Sequence, residues 1–185
     1  MKVGDGVRHQ LVTCEQQDFF DYWQGLCDRL GRLPSRSDID PVRVHTHLPF
    51  VSLYSQDADG RFRVRLAGTG FWNFYGSEIT GRRVDDLPLP ADSCLYWHRV
   101  LRNVSSTHLP MAGTAAPGTP RGAHLRQFWL RLPLAPDAGN GVGGGVCDDD
   151  MLILGYDQFL EGPARKPSAL TRSTFGSGAP LRVMA

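Results

Sequence analysis

The stretch RFRVRLAGTGFWNFYGSEITGRRVDDL, from Arg61 to Leu87, decides the fold. Its opening half alternates arginine with an apolar residue, which is the period of a β-strand with one buried face. We predict that the arginine face is solvated, because a net charge of only +1 makes nucleic acid a poor match for it. The apolar face consists of Phe62, Val64 and Leu66, and the arginine face consists of Arg61, Arg63 and Arg65.

The closing half of the stretch predicts short helical turns that follow the strand. Three aromatic residues lie at helical spacing in a segment that glycines bound on both sides. A helix this short depends on packing rather than on propensity, so we expect it to lie across a sheet and to roof a cavity. Gly76 and Gly81 each follow such a turn and are expected to take left-handed backbone conformations. The aromatic residues are Phe71, Phe74 and Tyr75.

Composition restricts the class of protein. A chain of 185 residues with 41% hydrophobic and 21% charged residues is long enough and apolar enough for one folded domain. No apolar run reaches the length of a membrane span, and the N-terminus lacks the apolar core of a signal peptide. The sequence therefore predicts a cytoplasmic protein. The four cysteines are far apart and lack a C-x-x-C pair, so we expect free thiols and no metal site.

Residues 15–30 are predicted to form an amphipathic helix that ends at Gly31. Its apolar stripe is too large and aromatic to face water. The stripe must cover either the protein's own sheet or the same stripe of a second subunit in a two-fold contact. The stripe consists of Phe19, Trp23, Leu26, Cys27 and Leu30.

The remaining segments complete an antiparallel α+β arrangement. A short helix is predicted over 42–47, after Asp40 and Pro41, and a longer one over 92–104, which Asp92 or Ser93 would cap. Strands are predicted over 49–54, 61–66, 108–114, 124–134 and 151–159. Period-two alternation assigns one set of side chains to the helix-facing side of the sheet. That set consists of Phe62, Val64, Leu66, Phe128, Leu130, Leu132, Leu152 and Leu154.

Two linked motifs resemble the stand-alone PAS-like (Per-Arnt-Sim) family that is common in alphaproteobacteria. The resemblance covers about residues 19–160. The family's leader, W-x-x-L…GR-x-P-x-R-x-D-x-D-P, is matched by Trp23, Leu26, Gly31, Arg32, Pro34, Arg36, Asp38, Asp40 and Pro41. Its second motif, G-T-x(6)-G-x-[DE]-x-T-G-x(5)-L, is matched by Gly68, Thr69, Gly76, Glu78, Thr80, Gly81 and Leu87.

The resemblance implies a five-stranded antiparallel sheet with short helices across one face. It also implies a non-catalytic sensory module that binds a small ligand, a protein partner or both, and signals through a separate protein. Because a sensor without an output domain needs a surface through which to act, we predict a homodimer formed by Phe19, Trp23, Leu26 and Leu30. The ligand and any cofactor stay unknown at this stage.

Any ligand cavity is expected between the sheet and the segment 71–101. The predicted lining residues are Phe71, Phe74, Tyr75, Trp97, His98 and Leu101. One alternative is a haem- or flavin-dependent sensor that uses His98 or a cysteine, although the N-C-R-F-L-Q-like motif of the light-sensing flavin subgroup is absent. A second is a small enzyme, for which no G-x-S-x-G or H-E-x-x-H motif and no catalytic residue is found.

The end of the chain lies partly outside the resemblance. Residues 136–147 form a Gly-rich loop that looks like an insertion, and it lacks the strand-to-helix context of a dinucleotide fingerprint. Cys147–Asp150 is interpreted as a solvated turn. Residues 162–185 contain four basic residues and no acidic one, and are predicted to be a disordered tail. The predicted organisation is an arm over 1–14, a domain over 15–161 and this tail.

Overall fold

The computed structural model describes residues 5–116, 118–136 and 151–161. Residues 137–150, which include all but the first residue of the predicted loop 136–147 and the whole predicted turn 147–150 apart from none of its residues, lie outside the described residues, as does the predicted tail 162–185. The helices are α1 (Asp5–Arg8), α2 (Cys14–Leu30), α3 (Gly70–Tyr75) and α4 (Ala91–Thr107). The strands are β1 (Val51–Gln56), β2 (Phe62–Ala67), β3 (Met111–Ala115), β4 (Leu125–Leu134) and β5 (Leu152–Glu161).

The five strands form one antiparallel sheet in the order β2-β1-β5-β4-β3. This arrangement confirms the predicted fold class. Helices α3 and α4 lie across one face, which we call the inner face, and α2 packs on the opposite, outer face. Both faces of the sheet are therefore buried, and each carries its own hydrophobic cluster.

Helix α2 follows the sequence prediction closely. The Thr13 hydroxyl accepts a hydrogen bond of 3.1 Å from the Gln16 amide at its start, and Gly31 ends it with a φ of +66°. Phe19, Trp23 and Leu26 are buried, the first two in the outer-face cluster, and the Trp23 indole donates to the Pro133 carbonyl at 3.2 Å. Of the two options for the stripe, the protein's own sheet is the one observed.

The homodimer contact predicted for this stripe needs correction on that ground. Phe19 and Trp23 already pack in one cluster with leucines of β4 and β5, and Leu26 is buried as well, so the three offer no free apolar face to a second subunit. Leu30 is only half-buried at the C-terminal end of α2. The physical reason is that β4 and β5 are apolar on their outer side too, and that side needs a cover of its own.

The predicted assignment of residues to sheet faces is correct for Phe62 and Val64 and wrong for the rest of the set. A register shift in β2 pairs Leu53 with Leu66 but Tyr54 with Val64, so Leu66 turns away from the inner face and is 40% exposed. Since both faces are buried, alternation along a strand cannot tell which face is which. The residues that lie with the outer face are Phe128, Leu130, Leu132, Leu152 and Leu154.

Two local predictions about helices also differ from the structure. Residues 41–47 form successive turns rather than a helix, although the Asp40 carboxylate accepts the capping hydrogen bond from the Val42 amide at 2.9 Å. Helix α4 starts at Ala91 with Pro90 as its cap residue, without a capping side chain. Gly76 and Gly81 have φ values of +71° and +83°, as predicted.

The motif residues mainly hold turns together. Asp38 accepts from the Ser35 amide at 2.8 Å and from Arg32 at 2.9 Å, which fixes the leader loop. Glu78 accepts from the Thr80 amide at 2.8 Å, and the Thr80 hydroxyl accepts from the Ala67 amide at 3.2 Å. The motifs therefore specify how α3 and its following loop attach to the edge of the sheet.

Candidate functional site: an aromatic chamber around a buried ion pair

A buried ion pair lies at the centre of the inner face. Arg131 of β4 is paired in register with Gly155 of β5, and Asp157 lies two residues further along β5, on the same face. The guanidinium Nη1 and Nη2 atoms donate to the two Asp157 carboxylate oxygens at 2.9 and 3.0 Å. The two side chains are 2% and 0% exposed. This is a bidentate, charge-assisted contact, sealed from solvent.

Further hydrogen bonds complete the pair. The Gln127 amide nitrogen donates to Asp157 Oδ1 at 2.7 Å, so the carboxylate accepts three hydrogen bonds in all. Arg131 Nη1 also donates to the Leu130 carbonyl oxygen at 2.9 Å. The Nε atom of Arg131 is buried and has no hydrogen-bond partner among the described residues. The carboxylate is thus better satisfied than the guanidinium that faces it.

Aromatic rings surround the guanidinium on several sides. Its Cζ atom lies 4.9 Å from the ring centre of Trp97, 5.4 Å from that of Tyr54 and 5.9 Å from that of Trp129. Such cation–π contacts offset part of the cost of removing the charge from water. Trp129 reaches this position because Gly113 on the neighbouring strand has no side chain; a Cβ there would meet Trp129 Cζ2 at 2.6 Å.

The electrostatics follow from this burial. Burial alone would lower the pKa of Arg131, but the adjacent Asp157 carboxylate outweighs that effect, so the pKa is raised and the guanidinium stays charged. Burial raises the pKa of Tyr54 and raises that of Tyr75 well above its ordinary range. Both phenols are therefore neutral hydrogen-bonding groups at physiological pH. The chamber holds one compensated positive charge and neutral tyrosines.

The free space in this chamber is small. A cavity of about 10 Å³ remains between the inner face and the helices, which is about the space of a single water molecule. Gly155 leaves room for the Arg131 side chain, since a Cβ at this position would collide with Ser52 Oγ and lie 3.1 Å from Arg131 Nη1. The cavity is lined by Tyr54, Tyr75, Val84, Leu87, Trp97, Leu101 and Arg131.

The predicted site residues divide into two groups. Tyr75, Trp97 and Leu101 line the cavity. Phe71 and Phe74 are buried but do not line the cavity, and Phe74 stacks on Phe159 of β5 with 4.2 Å between ring centres. His98 is half-buried, with its ring edge-on to Phe62 at 5.3 Å, and does not line the cavity. A cofactor held by His98 would therefore lie outside this chamber.

Sequence reasoning missed the polar part of the chamber. No sequence motif includes Arg131, Asp157 or Gln127. Charged residues are also common in strands that have one solvent-exposed face. The available signal was an arginine between two leucines in β4 and an aspartate after the apolar run of β5. Within the described residues, no three His, Cys, Asp or Glu side chains converge where a metal ion could bind.

A second, larger depression lies at the end of the sheet beside α3. It has a volume of about 300 Å³ and is open to solvent. One of its walls is Trp72, which is 53% exposed. The other lining residues are Gly68, Thr69, Phe71, Ser77, Glu78 and Ile79, all from the second sequence motif or next to it.

Comparison with known proteins identifies the family. The family model described as "PAS domain" matches residues 12–143, more than half of the chain, and the chain therefore belongs to the PAS domain family, whose members are sensory modules. No curated protein matches the chain. Among solved structures, a fungal LOV domain photoreceptor, described in connection with a pathway that integrates blue light and oxidative stress, is similar at 18% identity and a TM-score of 0.41. The match covers 72% of this chain and 99% of that one.

The family match begins at residue 12 and ends at residue 143. The domain bounds of 15–161 that the sequence indicates stay a prediction. Across the described ranges, no helix is both long and apolar enough to cross a membrane.

Proposed function

We propose that this chain is a non-catalytic sensory module that binds a small molecule in the inner-face chamber and signals to a separate protein. The observation that carries the proposal is the Arg131–Asp157 pair, which lies inside an aromatic enclosure. A stable core does not require such a pair, because well-packed apolar residues of similar volume are often as stable or more stable. A charged, hydrogen-bonding group inside an aromatic wall is suited to recognising a ligand.

The contacts of the chamber provide a route for the signal. Tyr75 is the last residue of α3, and Trp97 and Leu101 belong to α4, so a molecule in the cavity would touch both helices and the sheet. Gly76 follows α3 with a φ of +71°, a conformation that glycine adopts without strain. We infer that ligand binding shifts α3 relative to the sheet and changes the surface around Trp72, which belongs to the same helix.

The test uses the full chain and a panel of organic acids, amines, sugars and nucleotides. A thermal-shift screen selects compounds that raise the melting temperature, and hydrogen exchange then locates the protection. Protection is expected in 70–75 and 91–107 and in β4. The proposal is refuted if no compound stabilises the protein, or if all protection lies elsewhere. Native mass spectrometry of the purified chain reports co-purified small molecules and the oligomeric state, which also tests the predicted homodimer.

A second candidate function is docking of a protein partner in the depression beside Trp72. Its support is the exposed indole next to an open cavity of about 300 Å³. Exposed aromatic side chains beside a groove are typical anchors of protein interfaces. A photo-cross-linking amino acid at position 72 should give a discrete adduct in cells. The same reagent at position 42, where Val42 is 76% exposed and far from this groove in the sequence, is the control, and equal cross-linking at both positions would contradict the idea.

A further inference from the structure

The Arg131 guanidinium has a second edge that does not contact Asp157. A guanidinium carries five N–H groups arranged as planar forks. Asp157 takes the terminal fork of Nη1 and Nη2, and the Leu130 carbonyl takes the other N–H of Nη1. In the lateral fork, formed by Nε and the remaining N–H of Nη2, the Nε donor is buried and has no hydrogen-bond partner among the described residues. A buried donor without a partner is costly, so a ligand that accepts from Nε would recover that cost.

The cavity presents this fork together with other donors. Arg131 lines the cavity, and the Tyr54 and Tyr75 phenols that line it with Arg131 stay protonated because burial raises their pKa. The Asp157 oxygens are poor acceptors for a ligand, since they already accept three hydrogen bonds from the protein. The matching group on a ligand is therefore an acceptor pair, and a carboxylate is the group whose two oxygens fit a guanidinium fork.

The walls of the chamber define the rest of the ligand. The rings of Tyr54, Trp97 and Tyr75 leave flat, apolar surfaces around the fork. Such surfaces favour a planar, unsaturated body over a flexible or highly hydroxylated one. The favoured class is a small aromatic or conjugated carboxylic acid.

Tyr75 marks the place where we infer that a ligand enters the cavity. The residue as a whole is half-buried, and it also lines the cavity together with Arg131. Its side chain thus runs from the surface to the cavity. Tyr75 ends α3 and is followed by Gly76, so we infer that an outward rotation of this ring would vacate a space of ring size next to Arg131.

We propose that the lateral fork of Arg131 binds the carboxylate of a small, flat organic acid, whose ring takes the place of the Tyr75 ring. This inference rests on the proposed sensory function and names its class of ligand.

The test uses benzoate as the probe and benzyl alcohol as a probe of similar size without a carboxylate. Binding to the full chain is followed by calorimetry and by tryptophan fluorescence, since Trp97 and Trp129 flank Arg131. Tyr75→Ala opens the space permanently and is expected to bind benzoate about tenfold or more tightly than the wild type does. In this variant, benzoate should bind about tenfold or more tightly than benzyl alcohol, the difference expected for a charge-assisted hydrogen-bond pair.

Two further variants keep the test decisive. Arg131→Lys retains a positive charge for Asp157 but has no lateral fork, so in the Tyr75→Ala background it should lose the preference for benzoate. Should that variant fail to fold, the Arg131→Met/Asp157→Leu pair removes both charges together and serves the same purpose. Trp72→Ala, in the outer depression, should leave benzoate binding unchanged.

Equal binding of both probes to Tyr75→Ala, or no binding of either, overturns the proposal. Benzoate binding that survives Arg131→Lys also overturns it. If these results occur while another compound class protects α3 and α4 in hydrogen exchange, the ligand class is wrong and the sensory function stands.

Discussion

Arg131 and Asp157 are separated by 26 residues in the chain, yet they form a bidentate ion pair with bonds of 2.9 and 3.0 Å at the centre of the fold. The pair depends on the register of β4 and β5, which places Gly155 opposite Arg131 and Asp157 one diagonal step away. A slip of one residue would move one partner to the outer face, against α2. The ion pair therefore forms only when β4 and β5 pair in this register.

Removal of one partner should destabilise the protein strongly. Asp157→Leu leaves the Arg131 charge buried without a counter-ion, and we expect a loss of about 3–5 kcal/mol in the free energy of unfolding. The double variant Arg131→Met/Asp157→Leu should recover most of that loss. Urea unfolding measures both. Asp21→Leu is the control: Asp21 pairs with Arg8 at the surface, where about half of each side chain is exposed, so its loss should cost about 1 kcal/mol or less. Equal losses for Asp157→Leu and the double variant would contradict this account.

The sequence predicted the elements better than it predicted the faces of the sheet. Local signals were sufficient for α2 and α3, because Gly31 and Gly76 mark their ends and the apolar spacing is helical. The orientation of β4 was not predictable in the same way, since Leu130 on one side and Trp129 on the other are both buried. The ion pair required the register of two distant strands, which no local pattern contains.

Gly76 should resist substitution more than an ordinary helix glycine does. Its φ of +71° is unfavourable for residues with a Cβ, and a Cβ would lie 3.1 Å from the Arg121 guanidinium carbon. Gly76→Val should lower stability by more than about 1 kcal/mol. Gly25 lies inside α2, where an added Cβ would find open space, so Gly25→Ala should raise stability by about 0.5–1 kcal/mol. The melting temperature should fall for Gly76→Val and rise for Gly25→Ala. An unchanged melting curve for Gly76→Val would refute the prediction for Gly76.

Two tryptophans should respond oppositely to the same change. Trp23 is 0% exposed on the outer face, so Trp23→Glu buries a carboxylate with no counter-charge and should unfold the protein. Trp72 is 53% exposed, so Trp72→Glu should leave the fold intact. Circular dichroism and size-exclusion chromatography distinguish the results. If the wild type is a dimer and Trp23→Glu is a folded monomer, the result would instead support the dimer contact that the sequence predicts for α2.

His47 should make the protein less stable in mild acid. Its ring packs edge-on against Phe19 and Tyr156, with ring centres 5.4 and 5.2 Å apart. Burial lowers the pKa of His47 below its ordinary 6.5, although the acidic Asp18 and Glu15 partly oppose this shift and His45 adds to it. The unfolded chain therefore takes up the proton at a higher pH than the folded protein does. Stability contributed by neutral His47 is complete above pH 6.5 and is lost as the pH falls through the lowered folded value.

His47→Gln removes this dependence, and its urea midpoint should change less between about pH 7.5 and 5.5 than that of the wild type. His124→Gln, at an exposed position, should behave as the wild type does. A separate loss at lower pH, below about 4, is expected from Asp57, because its hydrogen bond with Arg63 holds its pKa below the ordinary value. That second loss should persist in His47→Gln. A pH profile that His47→Gln leaves unaltered would show that the contact of His47 with α2 and β5 is insensitive to its charge.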